Sequence, residues 1–306
     1  MSANIDLSVS LGGVRFQNPI MPASGTYDYF DNNAGCFPME ELGAVMIKSV
    51  HRLSRPGNPA PRITEVVGGM INAVGIPSIG IERFMAEELH KYENIGTKVI
   101  LSVSGSVSEH YSEALEIVAD DARISAIELN LSCPNVGSGL PFSSDPAVLT
   151  ETVRAARERT KLPMIVKLSP NVSDIRVSAK AAEDAGADAI TISNTFRAMK
   201  IDINKRRPVL GNISGGMSGP AIKPQNMFLV WQAYQTVGIP IVASGGVSCW
   251  QDAIEYILAG ATMVQVGCTN FTDPMCMHKV IEGMAAYLER SGCLSFEELR
   301  GQAHQT

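Results

Sequence analysis

Eight short apolar runs, each bounded by turn residues, recur along the chain at residues 19–24, 44–50, 98–104, 126–132, 163–169, 189–194, 240–246 and 263–268. Most are apolar at successive positions, as in Val-Ile-Leu-Ser-Val (99–103) and Met-Ile-Val-Lys-Leu (164–168). That is the pattern of a parallel strand covered on both faces. Between the runs lie stretches with helical spacing, at 81–94, 109–119, 146–160, 173–185, 225–237 and 251–258. Asp145 and Ser173 stand where N-caps belong, and Gly186, Gly238 and Gly260 stand just past a last turn. Strand and helix alternate with no Pro/Ser-rich linker, which predicts an α/β fold: one (β/α)8 barrel forming a single domain over 1–306. A doubly wound open sheet is the alternative. Two short runs around Gly12-Gly13 predict an N-terminal hairpin plugging the bottom of the barrel. The connections 51–78 and 195–220, after strands two and six, are too long for ordinary βα loops and are expected to wall the functional face.

Composition narrows the function. The chain has 306 residues, a formal net charge of −6 and 25 Lys and Arg in no long run, which argues against binding a phosphate backbone. The N-terminus shows no basic region followed by an apolar stretch, and no run of ~18 apolar residues suggests a membrane span. Cys36, Cys133, Cys249, Cys268, Cys276 and Cys293 have no Cys-x-x-Cys or zinc-ligand spacing. They read as reduced thiols of a cytoplasmic protein with no bound metal.

Chemistry-bearing residues gather at the ends of the predicted strands. The fourth run ends Asn130-Leu-Ser-Cys133-Pro-Asn135, with a thiol between two amides at the start of a glycine-bearing loop. Such a thiol serves as base or nucleophile, or else as a small buried hydrophobe. Lys48 and Lys167 sit inside apolar runs, where an ammonium is costly without an anion or acceptors. Asn130 and Asn194 end strands four and six, completing a cage of amides and positive charge. Gly245-Gly246 and Gly267 end the last two runs, where barrel enzymes commonly build a phosphate site from backbone N–H groups. None of the five histidines, His51, His90, His110, His278 and His304, pairs locally with Ser or Cys as a hydrolase triad requires.

Nine segments in order resemble the dihydroorotate dehydrogenases. They are Asn18-Pro-Ile-Met-Pro-Ala-Ser-Gly25, Ile47-Lys-Ser49, Asn72-Ala-Val-Gly-Ile76, Asn130-Leu-Ser-Cys-Pro-Asn135, Val166-Lys-Leu-Ser-Pro170, Ser193-Asn-Thr195, Gly216-Met-Ser-Gly-Pro220, Ala243-Ser-Gly-Gly246 and Val266-Gly-Cys268. The cysteine, where membrane-bound members have serine, resembles the soluble NAD-linked class. The resemblance implies oxidation of dihydroorotate to orotate in pyrimidine biosynthesis. Cys133 would be the general base, FMN the hydride acceptor, and NAD the final acceptor through a partner subunit. That subunit would carry FAD and an iron–sulfur cluster, in a heterotetramer of two chains of each kind.

By the same resemblance Lys48, Asn72, Ala73, Val74, Gly75, Ile76, Asn130, Asn135, Asn194 and Thr195 would hold the substrate. Ser24, Lys48, Ser49, Ser102, Asn130, Lys167, Ser193, Gly219, Gly245, Gly246, Gly267 and Cys268 would hold FMN. Two positions depart from the family pattern: Ser102 stands where asparagine is usual and Cys268 where threonine is usual. The first implies a weaker flavin contact. The segment Gly137-Ser-Gly-Leu-Pro-Phe142 also departs from the usual glycine-richer version. Other classes that fit the residues are a flavin-dependent dihydropyrimidine dehydrogenase-like enzyme, a phosphate-binding lyase or isomerase using a Lys167 Schiff base, and a non-catalytic flavin-binding module.

Overall fold

Alternation along the strands separates two layers. A computed structural model describes residues 5–31, 33–132 and 142–305. Val45, Ile47, Val99, Leu101, Ile127, Leu129, Val166, Ile190, Ile241 and Val264 pack outward against the helices. Their neighbours Ala44, Met46, Ile100, Ala126, Ile165, Ala189, Val242 and Met263 meet one another inside. The strands form one parallel sheet in the order Ile20–Pro22, Met263–Val266, Ile241–Ser244, Ala189–Ile192, Met164–Lys167, Ala126–Asn130, Lys98–Ser104, Ala44–His51. At the ends of that order the Gly43 N–H donates to the Ile20 carbonyl (2.8 Å) and the Ser49 N–H to Ser24 Oγ (2.8 Å), drawing the sheet round into a (β/α)8 barrel. The hairpin of Val9–Leu11 and Val14–Phe16 drives Leu11 and Phe16 into the inner apolar layer at the strand N-termini.

The helices depart from expectation in detail. Asp145 caps Pro146–Arg157 by accepting from the Ala147 and Val148 N–H groups. The next helix, Ile175–Asp184, is capped by Asp174 rather than Ser173. Gly186 and Gly260 are left-handed at φ 99° and 113°, but Gly238 is not; its N–H donates to Glu183 instead. The stretch expected as one helix over 81–94 is three pieces: an α-turn Ile81–Arg83, a π-turn Phe84–Glu88 and a 3-10 turn Leu89–Tyr92. Phe84 and Leu89 are both buried but five residues apart, and the wider π-turn is what puts both on one face.

The two long insertions build one object. Strands Ile63–Val66 and Gly69–Asn72 from the first, with Phe196–Ala198 and Gly215–Ser218 from the second, form a four-stranded antiparallel sheet around Ile71, Ala73 and Leu210. At the seam Gly216 pairs with Asn72 and Ser218 with Met70. A Cβ on Gly69 would lie 2.0 Å from the Ser218 carbonyl oxygen, so the strands close only without a side chain there. Gly69→Ala is expected to cost about 1–3 kcal/mol and lower the thermal midpoint by a few degrees. Calorimetry checks this, and an unchanged midpoint would mean that the seam yields freely.

Candidate active site at the barrel mouth

Two residues above six of the inner apolar positions, the barrel interior turns polar. Ile100, Ala126, Ile165, Ala189, Val242 and Met263 are followed at that spacing by Ser102, Glu128, Lys167, Thr191, Ser244 and Gln265. Glu128 has no solvent exposure, and Lys167 is 5% exposed. The Lys167 ammonium donates to Gln265 Oε1 (2.8 Å) and lies 3.9 Å from Glu128 Oε1. Glu128 also accepts from Thr191 Oγ1 (3.0 Å), Gln265 Nε2 (2.8 Å) and Ser102 Oγ (3.3 Å). Burial pulls the Lys167 ammonium below the usual lysine value, and the Glu128 charge opposes that pull.

A cavity of about 400 Å³ opens above this layer, walled by the barrel strand ends and by the insertion sheet. Its size falls in the range of small-molecule and cofactor sites, roughly 300–1,000 Å³. Lys48 stands at its open side and donates to the Pro77 carbonyl (3.0 Å). Partial desolvation and the Arg62 guanidinium pull this ammonium below the ordinary lysine value. Asn130 Nδ2 donates to Ser49 Oγ (3.1 Å), while its Oδ1 accepts from Ser132 Oγ (2.5 Å). Asn194 Nδ2 donates to Ser132, and Asn194 Oδ1 accepts from the Thr195 N–H (2.8 Å). Gly245 and Gly246 have φ of 157° and 71°, a conformation that L side chains rarely adopt. The thiol of Cys268 is raised by burial, which keeps it protonated at neutral pH.

These features belong to a known family, because the sequence profile of the dihydroorotate dehydrogenases matches residues 6–288. The chain belongs to the dihydroorotate dehydrogenase family. It is 44% identical over 297 residues to the dihydroorotate dehydrogenase B (NAD(+)) catalytic subunit of Geotalea uraniireducens, with 97% of each chain covered. It is 43% identical over 297 residues to the proteins of the same name from Pelobacter propionicus and Bacteroides fragilis, covering 97% of this chain and 98% of theirs.

For this dihydroorotate dehydrogenase family member, most residues singled out in the sequence meet at one cavity. Ser24, Lys48, Ser49, Asn72, Ala73, Val74, Gly75, Ile76, Asn130, Lys167, Ser193, Asn194, Thr195, Gly219, Gly245, Gly246, Gly267 and Cys268 all line it. Ser102 does not; it is fully buried beneath Ser49, whose Oγ lies 2.7 Å from its own. Cys133 and Asn135 lie outside the described residues. The structure adds Ser132, Ser218, Ser244, Met70 and Phe271 to the wall.

Two buried groups that brace the site escaped the sequence reading. Asn226 accepts from Ser193 Oγ (2.6 Å) and donates to the Ile192 carbonyl (3.1 Å) and to Tyr256 Oη (3.2 Å). Tyr256 in turn donates to the Gly245 carbonyl (2.6 Å), tying the ends of strands six and seven together. A polar residue on a helix gives no sign in the sequence that it faces a strand end. Among the described residues no helix is long and apolar enough to cross a membrane.

Proposed function

We propose that this chain oxidises dihydroorotate to orotate with FMN bound in the barrel mouth. One observation carries the reading: a buried ammonium, a second ammonium at the opening, three amides and the glycine turns of the last two strands face one cavity of cofactor size. The residues fit the cofactor. Lys167 offers a fixed cation to an electron-rich ring, and the backbone at Gly219, Gly245, Gly246, Gly267 and Cys268 offers N–H groups to a phosphate. Ser24, Ser49 and Ser193 lie between them. Bound FMN supplies a two-electron acceptor for the hydride from C6 of the substrate.

In this proposal Lys48 holds the substrate carboxylate, and Asn72, Asn130, Asn135, Asn194 and Thr195 hold the pyrimidine ring. Cys133, as thiolate, takes the proton from C5. Electrons then leave for NAD through a separate subunit carrying FAD and an iron–sulfur cluster. The test is purification followed by anaerobic addition of dihydroorotate. A yellow protein whose flavin bands bleach is expected, and a colourless protein, or one that dihydroorotate leaves unbleached, would overturn the reading.

The two lysines have separable duties. Lys167→Ala should lose FMN, whereas Lys48→Ala should keep some FMN and lose orotate affinity. Because the Lys48 ammonium sits below the ordinary lysine value, orotate affinity should be full at neutral pH. It should fall as pH rises through that lowered value, before an unperturbed lysine would lose its charge. Titration of orotate against flavin absorbance across alkaline pH checks this. An alkaline limb that persists in Lys48→Ala would assign it to another group.

A further inference from the structure

We propose that Asp252 is a positioning residue for the FMN phosphate: from outside the cavity it anchors the far end of the turn that carries the Gly245 and Gly246 N–H groups. The inference rests on the proposed FMN site. Gly245 and Gly246 lead from the end of strand Ile241–Ser244 to Ser248, and both line the cavity. Among the described residues nothing accepts from their N–H groups. Successive free N–H groups make a concave anion site when the backbone is held in place. Two adjacent glycines do not hold themselves, because each reaches conformations closed to other residues. The turn therefore depends on what holds it from outside.

At the near end the Ser244 carbonyl accepts from the Ser193 N–H (3.0 Å), and the Gly245 carbonyl from Tyr256 Oη (2.6 Å). At the far end Thr269 Oγ1 donates to the Val247 carbonyl (2.7 Å). The next two residues belong to Asp252, whose Oδ2 accepts from the Ser248 N–H (2.8 Å), Ser248 Oγ (2.8 Å) and the Cys249 N–H (3.2 Å). Asp252 also acts from a second side. Its Oδ1 accepts from the Lys223 ammonium (2.5 Å), which Glu255 shares (2.9 Å). The Lys223 backbone packs against Gly246, where a Cβ would stand 2.8 Å from the Lys223 nitrogen. One carboxylate thus ties the stem of the turn to helix Lys223–Tyr234, which packs against its middle. Burial pushes the Asp252 carboxyl up, but Lys223 and Ser248 outweigh it and hold the group below its ordinary value. It is therefore ionised and only accepts.

A carboxylate beside a phosphate turn has two effects of opposite sign. Its charge repels a phosphate, so charge alone predicts tighter FMN binding once it is removed. Its hold on the turn predicts weaker binding, because N–H groups no longer fixed in place must be ordered when the phosphate arrives. The direction of the change therefore separates the two. In Asp252→Asn the remaining oxygen can still face Ser248 and Cys249, but the amide NH2 then meets the Lys223 ammonium, and only the Lys223 tie is lost. Asp252→Ala releases both.

The test dilutes the FMN-loaded full chain and reads released FMN by its fluorescence, with orotate titrated separately against the flavin spectrum of the loaded protein. Asp252→Asn is expected to raise the FMN Kd about threefold to tenfold, and Asp252→Ala on the order of tenfold or more, while the orotate Kd stays within about twofold. General loosening of the barrel would move both constants together. An FMN Kd that is unchanged or lowered in Asp252→Ala would overturn the inference, and so would an orotate Kd that rises in step with it. If Asp252→Ala does not fold, Asp252→Asn decides alone by the same two criteria. If the unsubstituted protein binds no FMN, the functional reading fails instead. The anchor is then read from the amide NMR spectrum, where Gly245 and Gly246 resonances that shift in Asp252→Asn would support it and resonances that stay in place would overturn it.

Discussion

Replacing Cys133 by serine should slow flavin reduction by dihydroorotate by about 10²–10⁴-fold at neutral pH, the scale of a lost general base. A thiol ordinarily titrates near 8.5 and is lowered by nearby positive charge, so a useful fraction is thiolate near neutrality. A serine hydroxyl has no comparable ionised fraction without a helper. Lys48, Lys167, Asn72, Asn130 and Asn194 line the cavity themselves, so FMN content and orotate affinity should survive. Anaerobic stopped-flow reduction reads the rate, and repetition at rising pH should restore part of it as hydroxide replaces the missing base. Reduction at close to the unsubstituted rate would remove Cys133 from the mechanism.

The second large effect concerns the electron acceptor. The sequence holds no Cys cluster suited to an iron–sulfur centre and no Gly-x-Gly-x-x-Gly between a strand and a helix, so it offers no recognisable second redox site or NAD site. The isolated chain should reduce artificial dyes with dihydroorotate but hardly any NAD. Adding an iron–sulfur flavoprotein subunit from the same organism should restore NAD reduction. Steady-state assays with and without that subunit decide the matter. Robust NAD turnover by the chain alone, or a preference for fumarate, would end the two-subunit proposal.

The barrel was legible because its signal is repeated. Each of the eight apolar runs coincides with an observed strand to within a few residues, and the two overlong connections do wall the site. What the sequence hid was pairing between distant segments. Gly69 and Ser218 are unremarkable until their backbones meet, and nothing local announces that the insertions share a sheet. The π-turn at Phe84–Glu88 was hidden because a helical period was assumed where burial needed a wider one. In the site, Lys48, Lys167 and the strand-end amides stood out as polar groups in apolar runs. Ser102, Thr191 and Gln265 carry the same alternation, but each looks ordinary alone. Only their shared level, two residues above the apolar layer, reveals a polar floor.

The insertion sheet also sets an order of assembly. Its seam joins Asn72 to Gly216, and the side chain of Asn72 donates to the Gly216 carbonyl (3.4 Å), so the two sides come from segments 144 residues apart. Closing so long a loop is entropically costly until intervening strands have drawn its ends together. During synthesis the first insertion emerges long before its partner strand exists, and its edge at Met70–Asn72 waits unpaired. Completion of the cavity wall is thereby coupled to near-completion of the barrel, and a truncated chain that stops before Gly215 would lack the partner strand of the seam together with Ser244 and Gln265 of the polar floor.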